Sequence, residues 1–468
     1  MFPSGPSGVT ALDYIRGRPG AQEPIPADGL GTCVPAHDRY NPPMMRSPKE
    51  PPLRLPRMIP VRVRMECPKA PDVREAALAA MGRVHACARV KRGERIAVTA
   101  GSRGIHQVDV LLRAVIDSLK AAGAEPFIVP AMGSHAGATA EGQKAFIAGY
   151  GVTEQTMGCP IASSMEIVAL GVTESGVEGY CDRNAYEADG IVVVNRVKPH
   201  TGFSSTLGSG LLKMLAIGLG KREGAEHVHR RGVDIGYGEA IRDGGRLALS
   251  KLKIRFGVAV VENYRGETAR VEAALPADFE ATDERLLSEA CRLMGRIPGD
   301  LIHLLIVDRM GKNISGTGMD PNVIGRGMQQ EKVKLDAPKI LRLFVRDLTD
   351  ETHGNAIGIG FADFTTDRLV AKIDNRATWI NVLASVAPWE AKVPIHYPSD
   401  REAIEQALAS AGTTPTERMR IVRIRDTEHI DTMLVSEAMF LTLKDRADIE
   451  ATGAAKETAF DAEGNLVD

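Results

Sequence analysis

Gly190 to Asn195 (GIVVVN) is the stretch that most restricts the fold of this chain. It is short, rich in β-branched residues and apolar without alternation, which is typical of a strand buried on both faces of a parallel sheet. Ligands of open α/β sheets lie beyond the carboxyl ends of such strands. The segment from Val197 to Gly232, with three histidines, a lysine inside an apolar run and a glycine-serine turn, is therefore the first candidate for a functional site.

Strand and helix patterns alternate before this stretch. ERIAVTAGSRG predicts a strand and a glycine-serine turn, and the apolar spacing from Val108 to Leu119 predicts a helix that ends at Gly123. EPFIVPAMGSH predicts a second strand, and Thr139 is the predicted N-cap of the next helix. This alternation is the pattern of parallel βαβ units with right-handed crossovers.

The second half of the chain shows similar patterns. Lys253 to Tyr264 predicts a strand pair or hairpin, and residues 371–386 predict a helix. LIHLLIVDRM, KILRLFVRDL and NAIGIGFADF predict further strands. We expect an α/β protein with two α/β domains, mostly parallel sheets of Rossmann-like βαβ units, and an active-site cleft between the domains.

At 468 residues the chain is long enough for about two domains with appendages. Residues 1–60 are rich in proline and glycine and lack periodicity, which predicts a loosely held N-terminal extension or a segment that wraps a neighbouring subunit. We predict an N-terminal α/β domain over 61–297 that carries the cofactor and acid/base residues, and a C-terminal α/β domain over 298–425. Residues 426–468 would pack back on the N-terminal domain.

Composition narrows the class of partner. The net charge is −2 and 25% of residues are charged, which indicates no nucleic-acid surface, so a small-molecule partner is expected. The six cysteines are scattered without a CxxC pair, which argues against a disulfide framework or a thiolate zinc site. Neither a secretion signal nor a membrane span is evident, and we expect a cytoplasmic protein without a membrane partner.

Histidines dominate the chemistry-bearing positions. His135 and His200 follow successive predicted strands, each after small residues or proline (GSH and KPH), and His227 and His229 follow further on. A histidine can move a proton at neutral pH or bind a metal, although one at a strand end is often only a polar terminus. His227 and His229, two residues apart, cannot share one face of a helix. The pattern alone predicts a histidine-lined cleft.

Lys213 interrupts an apolar run, LLKMLAIGLG. It is either a lysine that extends from a helix edge to solvent or a desolvated amine available for covalent attachment. The turn from Gly202 to Gly210 is suited to hold a phosphate but matches no known phosphate-binding fingerprint, so a plain flexible loop is equally compatible. Arg103, after Gly101 and Ser102, is either a surface residue or a residue whose planar guanidinium binds a carboxylate or phosphate.

Taken together, these residues resemble the nickel-dependent lactate racemase family. The likeness rests on the ordered set of His135, His200, Lys213, the stretch AIGLGKRE and His229, with Lys213 and His229 sixteen residues apart. It covers roughly Arg95 to Gly232 well, and the remainder to about residue 440 only loosely.

The resemblance implies a cofactor, the nickel-pincer nucleotide, which is a pyridinium-3,5-bisthiocarboxylic acid mononucleotide that holds nickel. Lys213 would tether it covalently, and His229 would bind the nickel, with His227 as the runner-up. His135 and His200 would be the acid/base pair for a 2-hydroxy acid whose C2 hydride moves to the cofactor and back, while Arg103 would hold the substrate carboxylate. The remaining predicted cofactor-binding residues are Ser102, Gly208, Ser209 and Gly210.

Two departures from the family pattern bear on the substrate. Ala100 stands where the lactate enzymes carry an aspartate, and Asp320, Asn322 and Arg326 stand in the region where they offer a glutamine and a lysine. Asp320 and Asn322 could equally be turn residues that bond their own backbone. We predict substrate contacts from the second domain at Lys312, Asn313 and Arg326, each with a purely structural alternative.

The sequence thus predicts a racemase or epimerase of a 2-hydroxy acid, lactate or another, that depends on cofactor-synthesis enzymes. Two other functions remain open from the residues. One is a divalent-metal hydrolase or lyase that uses His200, His227 and His229. The other is a non-catalytic protein that binds a mononucleotide.

Overall fold

Two mostly parallel β-sheets organise the chain, and each has a hydrophobic core on either face. The structure is a computed structural model that describes residues 53–102, 104–326 and 337–467. Arg103 and nearly all of the predicted N-terminal extension, residues 1–60, lie outside the described residues. The fold is α/β, as predicted.

The elements follow in chain order. The strands are β1 (Met58–Val63), β2 (Arg95–Ala100), β3 (Glu125–Pro130), β4 (Ile167–Val172), β5 (Glu178–Asp182), β6 (Gly190–Arg196), β7 (Ile254–Glu262), β8 (Thr268–Ala274), β9 (Leu301–Val307), β10 (Lys339–Val345), β11 (Phe364–Thr366), β12 (Ile395–Tyr397), β13 (Ile421–Ile424), β14 (Thr432–Ser436) and β15 (Ile449–Ala451). The helices are α1 (Val73–Arg83), α2 (Val108–Ala121), α3 (Ala140–Ala148), α4 (Glu154–Met157), α5 (Arg183–Glu187), α6 (Leu211–Lys213), α7 (Lys221–Ile235), α8 (Tyr237–Lys251), α9 (Phe279–Leu293), α10 (Pro321–Ile324), α11 (Asp367–Ala371), α12 (Asn375–Ala384), α13 (Asp400–Ala409) and α14 (Glu437–Leu443). A π-helical turn, Met214–Gly218, joins α6 to α7, and short 3-10 turns connect other elements.

The first sheet has the strand order β3-β2-β6-β7-β8, parallel up to β7 and antiparallel at β8. The predicted buried strand GIVVVN is β6, at the centre of this sheet. Ile191 and Val193 face one hydrophobic core, and Val192 and Val194 face the other. This strand is therefore apolar without alternation because both of its faces are buried, as predicted. We call the elements from α1 to α9 the first lobe.

The second sheet has the order β12-β11-β10-β9-β13-β14-β1-β15, parallel from β12 to β13 and antiparallel beyond. We call this sheet and its helices, together with the loops from residue 294 onward, the second lobe. The sheet takes in β1 from the start of the described chain, where Val61 pairs with Met433. It also takes in β14 and β15, although we expected residues 426–468 to pack back on the N-terminal domain. Local patterns cannot reveal this, because the three strands pair over separations of several hundred residues.

Several local predictions are confirmed, and others differ in detail. The Thr139 hydroxyl caps α3 by accepting a hydrogen bond from the Gly142 N–H, as predicted. Lys253 to Tyr264 forms the single strand β7, which makes its hairpin with β8. The helix predicted over 371–386 corresponds to α12 alone, which begins four residues later than expected because α11 ends at Ala371 and Asp374 caps the new helix by accepting from the Ala377 N–H.

Candidate active site

Three of the predicted site segments meet at one edge of the first sheet. β3, β2 and β6 lie side by side and parallel, and their carboxyl ends are followed by His135, Ser102 and His200. The chain leaves β2 toward β3 but leaves β6 toward β7, so the strand order reverses between β2 and β6. Such a reversal opens a crevice at the carboxyl edge of a sheet. Arg103, which follows Ser102 in the sequence, lies outside the described residues.

His135 ends a turn that follows β3. Its Nδ1 lies 2.8 Å from the carbonyl oxygen of Met132. A carbonyl only accepts hydrogen bonds, so Nδ1 carries the ring hydrogen, and Nε2 of the neutral ring is left with a lone pair. The residue is exposed. His135 can therefore take up a proton at Nε2.

His200 has the opposite tautomer. The backbone N–H of Gly202 donates to its Nδ1 at 3.0 Å. Because an N–H only donates, Nδ1 carries no hydrogen, and in the neutral ring the hydrogen sits on Nε2. The ring also stacks on Phe203 with centroids 4.3 Å apart. His200 can therefore give a proton from Nε2.

The second lobe holds the loop that carries His200. The Asn322 side-chain amide donates to the His200 carbonyl oxygen at 3.3 Å, and the Lys198 ammonium lies 3.2 Å from the Asp320 carboxylate. Asp320 also caps α10 by accepting from the Asn322 N–H at 3.0 Å, which is the turn role given above as an alternative. Asp320 and Asn322 thus connect the lobes as well as shaping their own turn.

His229 lies in α7 and is held by α12 of the second lobe. Its Nδ1 donates to the carbonyl oxygen of Ala384 at 3.2 Å, which leaves the Nε2 lone pair available to a metal. Burial, with the positive charge of nearby Lys213 as a second cause, lowers the pKa of His229 to about 4. The ring is therefore neutral at pH 7 and within electrostatic reach of the Lys213 ammonium.

His227 lies on a different side of α7. Its Nε2 is 3.2 Å from the carbonyl oxygen of Gly176, and its Nδ1 is 3.7 Å from a carboxylate oxygen of Glu178, both in the β4–β5 hairpin. Both ring nitrogens of His227 thus face the β4–β5 hairpin. Of the two histidines considered as metal ligands, His229 has the geometry that suits the role. In the part of the chain described, no group of three or more His, Cys, Asp and Glu side chains is arranged to hold a metal ion.

A row of stacked aromatic rings connects two of these histidines. The ring of Phe203 stacks on His200 and also on Tyr237, at 5.3 Å between centroids with 10° between ring planes. Tyr237 in turn lies 6.4 Å from the ring of His229. His200 and His229 are therefore joined through Phe203 and Tyr237, two residues that no motif in the sequence singled out.

Lys213 ends α6 and is half-buried between fully buried neighbours, Leu212 and Met214. Its Nζ lies 3.5 Å from the hydroxyl of Ser209. The helix widens into the π-helical turn directly after it, and turns of this kind often occur at functional sites. Lys213 is thus placed beside the glycine-serine turn, and its charge is near enough to His229 to lower the pKa of that ring.

The glycine-serine turn itself is closed by protein contacts. Ser209 and Lys198 exchange two backbone hydrogen bonds, at 2.8 and 3.2 Å. A Cβ on Gly208 would lie 2.5 Å from the Lys198 carbonyl oxygen, and one on Gly210 would lie 2.5 Å from the Asp283 carboxylate. Both glycines therefore allow close packing here. Their predicted contact with a cofactor, like that of Ser102, stays a prediction.

Asp283 of α9 binds the backbone at the start of α6. Its two carboxylate oxygens accept from the backbone N–H groups of Leu211 and Leu212, each at 2.9 Å, at the start of α6. Burial raises the pKa of Asp283 to about 7 in spite of these two bonds. Asp283 is thus a site-forming residue that sequence reasoning missed, because it lies some seventy residues from the turn it holds.

The residues predicted to reach the substrate from the second lobe differ in their surroundings. The guanidinium of Arg326 donates to the Asp363 carboxylate and to three backbone carbonyls, so it ties its own loop to β10. The Asn313 side-chain oxygen accepts from the Thr349 hydroxyl at 2.7 Å. The Lys312 backbone N–H donates to Thr352 at 3.1 Å. The structural alternative thus fits Arg326 best of the three.

The comparisons with known proteins can now be set beside this geometry. Residues 58–236 match the family model described as the lactate racemase N-terminal domain. No curated protein matches the chain. A structure of the lactate racemase apoprotein from Thermoanaerobacterium thermosaccharolyticum matches with a TM-score of 0.50 and 12% identity, over 80% of this chain and 99% of that one. A protein from Thermotoga maritima matches with a TM-score of 0.46 and 12% identity, over 69% and 83%. Among the described helices, none is long and apolar enough to cross a membrane.

The first prediction concerns the His229 ring. In the purified full chain, its ¹⁵N and ¹³C signals, assigned by their loss in His229→Gln, should stay those of a neutral imidazole from pH 8 down to about 5, because the pKa lies near 4. Lys213→Met, which removes the charge but keeps the stem, should raise the titration midpoint. Lys251→Met, at the exposed end of α8, is the matched control and should leave it in place. An unchanged midpoint in Lys213→Met would contradict the arrangement.

The second prediction concerns Asp283. A carboxyl whose pKa rises from 3.8 to about 7 on folding binds more protons in the folded than in the unfolded state between those values. Folding stability contributed by this group therefore falls as the pH rises through that window, by at most about 1.4 kcal/mol per pH unit. Asp283→Asn does not titrate, so the melting temperature of the parent minus that of the variant should decrease from pH 5 to pH 8. A difference that stays constant with pH would refute the assignment.

Proposed function

We propose that this chain, whose residues 58–236 match the lactate racemase N-terminal domain, belongs to the lactate racemase family and is an isomerase that racemises or epimerises a 2-hydroxy acid. One observation carries this proposal. His135 and His200, at neighbouring parts of one sheet edge, have opposite tautomers, since Nδ1 donates in His135 and accepts in His200. The neutral His135 ring can accept a proton at Nε2, whereas the neutral His200 ring carries a hydrogen there.

Racemisation requires such a pair. The hydroxyl of one enantiomer must lose its proton to a base on one side, and the hydroxyl of the other enantiomer is reached from the opposite side. The same two groups exchange their roles when the reaction runs in reverse. His135 would accept the alcohol proton at Nε2 and release it to solvent, and His200 would give its Nε2 proton to the substrate oxygen and take another from solvent before the next turnover. The Gly202 N–H and the stacked Phe203 hold the His200 ring in position meanwhile.

The chain offers a fitting place for a nickel-pincer nucleotide. Lys213 provides an amine for a covalent tether, and His229 provides a neutral Nε2 whose ring is oriented by a backbone carbonyl through Nδ1. Ligating histidines commonly have this second hydrogen bond, and nickel accepts imidazole in its tetragonal geometry. When bound, the group would supply a hydride acceptor beside the substrate C2. The protein would supply orientation and protons.

The substrate would be held by its carboxylate. Arg103 is the proposed partner for it, because a planar guanidinium can bind a carboxylate with two parallel bonds. Lys312 and Asn313 would complete the contacts from the second lobe. Ala100 replaces an aspartate of the lactate enzymes, so we propose a 2-hydroxy acid that need not be lactate. The cofactor would come from dedicated synthesis enzymes, which are the partners proposed for this chain.

The test uses the full chain produced together with cofactor-synthesis enzymes. Enantiopure 2-hydroxy acids are incubated with the protein, and the products are separated by chiral chromatography. At least one acid should be converted to its mirror form or epimer, with exchange of deuterium at C2. His135→Gln or His200→Gln should each lower kcat by roughly a hundredfold or more, the usual contribution of a general acid or base.

Three further variants separate the roles of the cofactor-binding residues. Lys213→Ala should abolish the covalent mass gain, whereas His229→Ala should lose nickel and keep the adduct. His227→Ala, the matched control two residues away, should keep both. Zinc without a lysine adduct would instead favour the hydrolase or lyase. A bound nucleotide without exchange in any acid tested would favour the mononucleotide-binding protein.

A further inference from the structure

A fully buried ammonium lies between the two halves of the site. Lys221, the first residue of α7, is inaccessible to solvent, and its Nζ donates to the carbonyl oxygen of Pro130 at 2.6 Å. The same Nζ is 3.0 Å from the Asp182 carboxylate and 3.2 Å from the side-chain oxygen of Gln143. Asp182 and Gln143 are fully buried as well. Three oxygens from three separate segments thus surround one cation.

Gln143 connects Lys221 to the turn that holds His135. Its amide nitrogen donates to the carbonyl oxygen of Gly133 at 2.9 Å, with a longer approach of 3.5 Å to the carbonyl of His135 itself. The oxygen of the same amide accepts from Lys221. Since an amide has one oxygen and one NH₂ group, the cation fixes which way Gln143 faces, and Gln143 in turn fixes the Gly133 carbonyl.

The turn from Pro130 to His135 is held from outside through three of its backbone polar groups. Pro130 is held by Lys221, the Gly133 N–H donates to the Gly218 carbonyl at 3.2 Å, and the Gly133 carbonyl is held by Gln143. The Met132 carbonyl, inside this turn, is the acceptor that sets the tautomer of His135. The orientation of that carbonyl, and so the tautomer, depends on how the turn is held.

We infer that Lys221 and Gln143 are positioning residues for His135, which they keep in the form that accepts a proton at Nε2. This inference rests on the acid/base role proposed for His135. Because Lys221 is also the first residue of the helix that carries His229, the same ammonium sets the acid/base turn relative to that helix. Neither residue touches the substrate.

The test removes the amide and leaves the ammonium in place. Gln143→Met fills a similar volume without donor or acceptor, and the purified full chain is examined by ¹⁵N NMR of its histidine rings at about pH 8.5, where the rings are neutral. The signals of His135, assigned by their loss in His135→Gln, should lose the preference for hydrogen on Nδ1. The His229 signals should not change. The matched control is Gln406→Met, which replaces another buried glutamine in α13 and should leave both rings as they were.

A second readout uses the enzyme loaded with its cofactor. In Gln143→Met, kcat should fall about tenfold or more while KM stays within a factor of two, because proton transfer and not substrate binding is affected. Should this variant fail to fold, Gln143→Glu is the replacement. It keeps an acceptor for the Lys221 ammonium, but an ionised carboxylate has no hydrogen to give to the Gly133 carbonyl.

The outcomes separate the inference from the proposed function. Unchanged His135 signals in a folded Gln143 variant would overturn the inference, whatever the activity. Changed signals together with a parent that isomerises no 2-hydroxy acid would keep the positioning contact and reject the proposed reaction. A fall in kcat with unchanged ring signals would also overturn it, since the effect would then not pass through the tautomer of His135.

Discussion

The chemistry of this site depends on which nitrogen of each histidine carries a hydrogen, and the backbone decides this in all three cases. A backbone carbonyl accepts a hydrogen bond from Nδ1 of His135 and another from Nδ1 of His229, whereas a backbone N–H donates one to Nδ1 of His200. In the neutral rings, Nε2 of His135 and of His229 therefore carries a lone pair, and Nε2 of His200 carries the hydrogen. Nothing in the histidine side chains themselves distinguishes these roles. They follow from the turns and the helix end that surround each ring.

Holding those backbone groups in place requires polar side chains in a core that is otherwise apolar. A buried ammonium such as Lys221 remains charged only where oxygens replace its hydration, and removing one partner of a buried ion pair typically costs roughly 3–5 kcal/mol. Burial lowers the pKa of Lys221 and raises that of Asp182, while their mutual attraction opposes both changes. An apolar cluster could fill the same space, but it could not hold the Pro130 carbonyl.

The fold and the site differed in how far the sequence could predict them. β6 and the Thr139 cap were predictable because their signals are local: an apolar run without alternation, and a hydroxyl before a helix. The place of β1 between β14 and β15 was not, because strand pairing over such distances leaves no local pattern. The roles of Asp283 and Lys221 could not be predicted from the sequence for a related reason. A carboxylate in an amphipathic helix or a lysine at a helix start has the same local pattern whether it faces solvent or closes a site.

The second lobe contributes contacts that orient His229 and hold the loop of His200. The carbonyl of Ala384, at the end of α12, fixes the tautomer of His229, and Asn322 and Asp320 hold the loop of His200. None of these contacts belongs to the first lobe, so the first lobe alone does not contain the arrangement described above. If the lobes moved apart, Nδ1 of His229 would lose its acceptor while the aromatic row through Phe203 and Tyr237 stayed intact within the first lobe. The orientation of the His229 ring therefore depends on contact between the two lobes, and no rearrangement within the first lobe alone could replace it.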